Sequence, residues 1–158
     1  MTELSYKISD PTEFLVTPFL KAEALLAIAR EAYKHYVAAI GREPAPMGAD
    51  YAHHIAHDTI ITAYQDNVLV GFGIIIEKDD GLWLETIAVA DGYRGQGIGS
   101  KLLAEIERHI AKKARIYQLY TNEKMTQNKA WYLRLGFTIK AVKEAEGFRR
   151  IYFEKTLS

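Results

Sequence analysis

The chain has 158 residues, no cysteine, and 20 basic residues against 20 acidic ones, so its formal net charge is zero. With neither a basic excess nor a basic stripe, nucleic-acid binding is not expected. No basic amphipathic stretch points to a membrane surface. The absence of cysteine excludes disulfides, thiolate metal sites and a cysteine nucleophile.

Apolar residues make up 49% and charged residues 25% of the chain, which is ordinary for a globular protein. The length suits one domain over residues 1–158. Met1 to Asp10 carries Glu3, Lys7 and Asp10 and lacks the apolar stretch of a signal peptide. No apolar run reaches membrane-spanning length, so a cytoplasmic location is expected.

Tyr6 to Ser9 can form a short first strand. Thr17-Pro18 offers a helix start, a capping hydroxyl followed by proline. From there to Tyr33, the spacing of Leu25, Leu26, Ile28, Ala29, Ala32 and Tyr33 predicts an amphipathic helix. Gly41 to Pro46 reads as a loop, and Asp50 to His57 as a short helix. Thr59–Tyr64, Val68–Ile76 and Leu82–Ala90 are rich in β-branched and aromatic residues. Tight turns at Gln65-Asp66-Asn67 and Asp79-Asp80-Gly81 join them, which predicts antiparallel pairing. Ile98, Leu102, Leu103, Ile106 and Ile110 mark one face of a helix. Arg115–Tyr120 reads as a strand, Thr126–Leu135 as a helix, and Phe137–Lys143 with Phe148–Leu157 as a final hairpin across Glu144 to Gly147. The fold class is α/β (α+β): a mostly antiparallel central sheet with helices packed on it.

The stretch with most chemistry is Val89-Ala90-Asp91-Gly92-Tyr93-Arg94-Gly95-Gln96-Gly97-Ile98-Gly99-Ser100, between a strand and an amphipathic helix. Glycines let backbone approach a ligand, and a helix start presents unpaired N–H groups and the positive end of its dipole. Arg94 can add a charge-assisted bond. The turn therefore suits an anionic phosphate or pyrophosphate. It is not a P-loop, because Gly99 is followed by Ser100-Lys101, the wrong order. It is not the dinucleotide fingerprint either, because Gly95, Gly97 and Gly99 alternate.

Arg94-Gly95-Gln96-Gly97-Ile98-Gly99 resembles the GNAT acyltransferase signature Arg/Gln-x-x-Gly-x-Gly/Ala. Ala130-Trp131-Tyr132-Leu133-Arg134-Leu135-Gly136-Phe137 resembles that family's second signature, with one spacer fewer between Ala and Tyr. Tyr36 and Gly41 to Met47 are similar, more loosely, to one bacterial subgroup. The resemblance implies an N-acetyltransferase whose cofactor is acetyl-CoA. It implies that Arg94, Gly95, Gln96, Gly97, Ile98, Gly99 and Ser100 hold the pyrophosphate, and that the backbone of Ile87, Ala88 and Val89 pairs with the pantetheine arm. That arm needs the strand of Leu84 to splay from the strand of Leu119. Tyr132 would stand near the thiol sulfur as general acid. Where the family often has asparagine, this chain has Met125; Asn122 and Asn128 flank it and are both candidates for the pantetheine. Tyr33, Tyr36, Arg42 and Tyr51 are candidates for the acceptor pocket.

Amine acylation also needs a proton acceptor. Glu85 is the carboxylate in the strand leading to the glycine turn, and period 2 would put it on one face with Ile87 and Val89. The alternative is a surface glutamate. Without cysteine, direct attack in a ternary complex is expected. The acceptor is a small-molecule or peptide amine; a homodimer is left open. Transfer to oxygen, or a non-catalytic acyl-CoA-binding module, are the other readings. His53-His54-Ile55-Ala56-His57-Asp58 matches His-His-x-x-x-Asp, similar to the active site of the chloramphenicol acetyltransferase class. That class needs a longer chain and usually glycine where Thr59 stands. His53 and His57 have the spacing of a metal pair on a helix, but no third ligand follows at a signature spacing, so no metal is expected. The favoured reading is a partly exposed helix edge.

Overall fold

The computed structural model describes residues 3–13 and 20–158. Thr17-Pro18 lies outside the described residues. Seven strands form one sheet: β1 (Leu4–Ser9), β2 (Thr59–Gln65), β3 (Val68–Lys78), β4 (Gly81–Val89), β5 (Ile116–Asn122), β6 (Thr138–Ala145) and β7 (Phe148–Thr156), in the order β1-β2-β3-β4-β5-β7-β6. Every neighbouring pair is antiparallel except β4–β5. Two hairpins close on two-residue turns with left-handed backbone, Asp66-Asn67 and Glu146-Gly147. Such turns match the right-handed strand twist.

Alternation along the strands sends successive residues to opposite faces, and each face has its own core. On one face, α4 (Ile98–Ile110) lays Leu102, Ile106 and Ile110 against Ile61, Val70 and Phe153. On the other, α1 (Ala22–Tyr33) packs Leu25, Ala29 and Tyr33 against Ile60, Phe72 and Ile74. The one-turn α2 (Val37–Ile40) and then α3 (Tyr51–His57) follow α1 in the chain. Asp50 caps α3, accepting from the backbone N–H of His53 at 3.0 Å. The fifth helix, α5 (Thr126–Arg134), follows β5 and contributes Tyr132 to the α4-side core. Among the described residues, no helix is long and apolar enough to cross a membrane.

Two irregularities shape the centre of the sheet. The parallel β4–β5 pairing covers only Leu82–Tyr117 and Trp83–Gln118, after which the strands part. In the β3–β4 register, Ile74 pairs with Thr86 but Ile75 with Leu84, so Glu85 is an extra residue in β4. This bulge resets the alternation. Leu84 and Ile87 both belong to the α4-side core, which leaves Glu85 and Thr86 directed to the other face. The period-2 expectation that Glu85 shares a face with Ile87 and Val89 is therefore corrected.

The height of α4 over the sheet is set at Gly71 and Gly73. A Cβ on Gly73 would lie 2.3 Å from Cδ1 and 3.3 Å from Cγ1 of the fully buried Ile106. Gly73→Ala overpacks that contact. It is expected to lower stability by about 1–3 kcal/mol, read as a fall in the midpoint of chemical or thermal denaturation.

Candidate active site

The glycine turn wraps the start of α4. Gly92, Gly95 and Gly97 all have left-handed φ, at 88°, 76° and 78°, and nothing lies within 4 Å of where their side chains would begin. Their backbone thus faces open space. The first backbone bond into the helix runs from Lys101 N to Gly97 O, 3.1 Å. The amides of Ile98, Gly99 and Ser100 stand before it without intrahelical acceptors, as a helix start requires. Gly99 permits close packing of α5, since its Cβ would sit 3.3 Å from the Trp131 ring.

An open groove of about 490 Å³ runs beside this turn. Ile87, Ala88 and Val89 form its floor, and Arg94, Gly95, Gly97, Ile98, Gly99 and Ser100 form one end. Arg94 donates to the carbonyl of Ala32 in the last turn of α1, which ties the turn to α1. Gln96 is exposed and bends its amide back to the Gly92 carbonyl at 3.4 Å.

A second, tighter cavity of about 110 Å³ lies in the gap between β4 and β5. Glu85, Thr86, Tyr120, Asn122, Met125 and Tyr132 line it, together with Pro44 to Pro46, His54, Phe148 and Arg150. Tyr33, Ile87 and Asn128 line both spaces. The Tyr33 hydroxyl donates to the Ile87 carbonyl at 2.9 Å, and burial pushes its phenol up from its ordinary value.

Tyr132 is 5% exposed and packs against Phe137 and Phe153 with ring centroids 5.5 and 5.6 Å away. Its hydroxyl makes no hydrogen bond with a described residue. Burial, and then Tyr33 and Tyr36, push its pKa well above the ordinary phenol value, so it stays protonated at neutral pH and is a donor. The Glu85 carboxylate likewise has no hydrogen bond or ion pair with a described residue. It raises the pKa of Tyr120, after the larger effect of burial.

The four acceptor-pocket candidates divide. Tyr33 lines the cavity. Tyr36 lines the groove instead, its hydroxyl accepting from the Asn128 backbone N–H at 3.2 Å. Tyr51 is 2% exposed and donates to the Pro46 carbonyl at 2.5 Å, edge-on to Phe72; it is core. Arg42 lies outside the cavity, donating to the Glu146 carbonyl at 2.9 Å and stacking on Phe148. Asn122 lines the inner cavity rather than the groove, whereas Asn128 stands at the junction.

His54 departs in part from a plain helix edge. Its Nδ1 lies 2.8 Å from Asp58 Oδ2 in a partly buried pair, and the ring borders the cavity. His53 and His57 stack at 4.2 Å and are exposed. Among the described residues, no three His, Asp or Glu side chains are grouped to hold a metal ion.

A family model, the acetyltransferase (GNAT) domain, matches residues 56–139, more than half of the chain. The chain belongs to the GNAT acetyltransferase family. Solved structures share its fold. The paia N-acetyltransferase from Thermoplasma acidophilum, in complex with coenzyme A, has a TM-score of 0.74 at 20% identity, over 98% of this chain and 99% of that one. An acetyltransferase of the GNAT family from Bacillus cereus has a TM-score of 0.68 at 19% identity, over 100% and 99%. The ribosomal-protein-S18-alanine N-acetyltransferase from Escherichia coli has a TM-score of 0.67 at 18% identity, over 100% and 95%. No curated protein sequence matches the chain.

Proposed function

We propose that this GNAT acetyltransferase transfers an acetyl group from acetyl-CoA to a primary amine by direct attack. The observation that carries the reading is the junction at Tyr33, Ile87 and Asn128, where the groove along β4 meets the inner cavity. A donor bound in the groove and an acceptor in the cavity would meet there. Acetyl-CoA fits the groove chemically: unpaired amides at the α4 start and left-handed glycines with open space suit its pyrophosphate. The relative from Thermoplasma acidophilum, solved with coenzyme A in the same fold, supports that choice.

When bound, the cofactor supplies an acetyl group activated as a thioester. Gly95 to Ser100 hold the pyrophosphate, and Arg94 adds charge. The β4 edge from Ile87 to Val89 offers its backbone to the pantetheine amides, as to an added strand. Asn128 orients the arm at the junction. Glu85 accepts the proton that the amine loses as its nitrogen bonds the acetyl carbon, directly or through water. Tyr132 donates its proton to the sulfur as the C–S bond breaks. This direct transfer needs no covalent enzyme intermediate.

Release of free thiol from acetyl-CoA, screened over primary amines and peptides, tests the activity. Cofactor binding with no turnover on any acceptor would favour a non-catalytic acyl-CoA sensor instead. Gly97→Asp tests the cradle. Aspartate tolerates a left-handed backbone better than most residues, and the space beside Gly97 is open, so the variant is expected to fold. Acetyl-CoA should raise the melting temperature of the wild type and leave that of Gly97→Asp unchanged; an equal rise in both would refute the placement.

Glu85→Gln removes the proton acceptor but keeps shape. Turnover is expected to fall about 10²- to 10⁴-fold with cofactor affinity intact, and a change under threefold would remove Glu85 from the mechanism. Tyr132→Phe keeps the packed ring and deletes only the hydroxyl. Its kcat should drop roughly ten- to a thousandfold, about 1.4–4 kcal/mol of transition-state stabilisation, with the cofactor Kd and melting temperature little changed. An unchanged kcat, with chemistry shown to be rate-limiting, would sink the acid role.

A further inference from the structure

The inner cavity carries a charge pattern that amine transfer alone does not require. Glu85 on β4 presents a carboxylate with no partner among the described residues. Arg150 on β7 lines the same cavity. Tyr120 on β5 lines the cavity with them. It feels the charge of both groups, and the Arg150 guanidinium lies 4.3 Å from its ring centroid. Resting on the proposed acetyl transfer, we infer that the acceptor is an amine that also carries a carboxylate, an amino acid or a close analogue, with its amine toward Glu85 and its carboxylate bound by Arg150.

The state of Arg150 supports a ligand role. Its side chain is 15% exposed, so it is held largely out of solvent. Its carboxylate partner, Glu146 at 3.1 Å, sits on the hairpin turn and is 80% exposed. An ion pair with so exposed a partner is screened and weak. A substrate carboxylate inside the cavity would be less screened, and the planar guanidinium matches it with two parallel bonds. The guanidinium sits over the Tyr120 ring and is hydrogen-bonded to Glu146 and the Tyr152 side chain, and its five N–H donors leave others for a ligand.

Size and charge point the same way. The cavity, about 110 Å³, is well below the roughly 300 Å³ at which drug-sized ligand sites begin. It therefore admits a small acceptor or one narrow arm. An uncharged or purely cationic acceptor would leave the Arg150 charge facing it at close range. A zwitterion answers both walls. Thr86, Tyr120 and Asn122, which also line the cavity, offer further polar contacts.

The test uses matched acceptors with and without the carboxylate: 4-aminobutyrate against propylamine, and alanine against ethylamine. Each is assayed by acetyl-CoA-dependent thiol release on wild type, Arg150→Met and Arg150→Lys. For at least one pair, the wild type is expected to favour the carboxylated amine by tenfold or more in kcat/KM. Arg150→Met should abolish that preference, chiefly by raising the KM of the carboxylated member of the pair. Arg150→Lys should restore part of it. The acetyl-CoA Kd and melting temperature of each variant report whether fold and cradle are intact. Turnover of amines with no preference for the carboxylate, or equal losses on both members of a pair in folded Arg150→Met, would overturn the inference and leave acetyl transfer standing. Failure of every amine to release thiol, with acetyl-CoA bound, would overturn both.

Discussion

The site depends on where one ladder of hydrogen bonds stops. β4 and β5 pair in parallel over two registers and then diverge after Trp83 and Gln118. Beyond that point the β5 side of β4 has no strand to bond, and unpaired buried backbone groups are costly. The carbonyls of Thr86 and Ala88 turn toward β3, close over Gly73 and Gly71, so the Ile87 carbonyl between them turns to the gap. There it takes the Tyr33 hydroxyl. The same edge is a template for an extended ligand, which gives the break in the sheet a chemical use as well as a structural one.

The break has causes on both sides. On β5, every residue from Ile116 to Asn122 pairs with β7, so that strand is held by its other neighbour and can leave β4. On β4, the extra residue at Glu85 bends the strand and turns a carboxylate into the opening gap. A regular strand in register with Ile87 and Val89 would have directed Glu85 into the apolar layer under α4. In the proposed reaction, the bulge is what makes this glutamate available as a base. Across the sheet, the small residues Gly71 and Gly73 let α4 lie close to β3, which brings its N-terminal turn level with the end of β4.

Much of the fold was legible because its signals are local. Alternation marked the strands, period 3.6 marked α4, and two glycine-bearing signatures marked the turn and α5. What sequence reasoning misplaced was set by contacts across the chain. No local pattern announces the bulge, so simple alternation put Glu85 on the wrong face. Tyr51 reads like a pocket aromatic, but Phe72 and the Pro46 carbonyl bury it. Arg42 reads as an acceptor contact, but it stacks outside, on Phe148. Arg150 was not singled out at all. Its signal existed in the final hairpin: Arg150 and Tyr152 alternate onto one face, and Tyr152 pairs with Tyr120 of β5. Reading that face requires the register between strands far apart in sequence, which the chain alone does not supply.

Met125 stands where the resembled signature often has asparagine, and in the proposed reaction it shapes the site. Met125 is buried, and its sulfur receives the Thr121 hydroxyl at 3.4 Å and the Asn128 amide at 3.8 Å. A thioether is a weak acceptor, so it orients Asn128 while engaging only one of the two N–H donors of that amide. The carboxamide oxygen of Asn128 has no partner among the described residues and stays available at the junction of groove and cavity. In the proposed reaction, the polar contact that an asparagine at position 125 could make is thus moved one helical turn onward, to Asn128. The space Met125 fills becomes apolar wall instead. An apolar wall beside Glu85 and Arg150 lowers the local dielectric and strengthens whatever charge those two groups meet. With overall charge balanced to zero, net charge gives no long-range attraction, and in the proposed reaction selection of the acceptor falls to this small cavity.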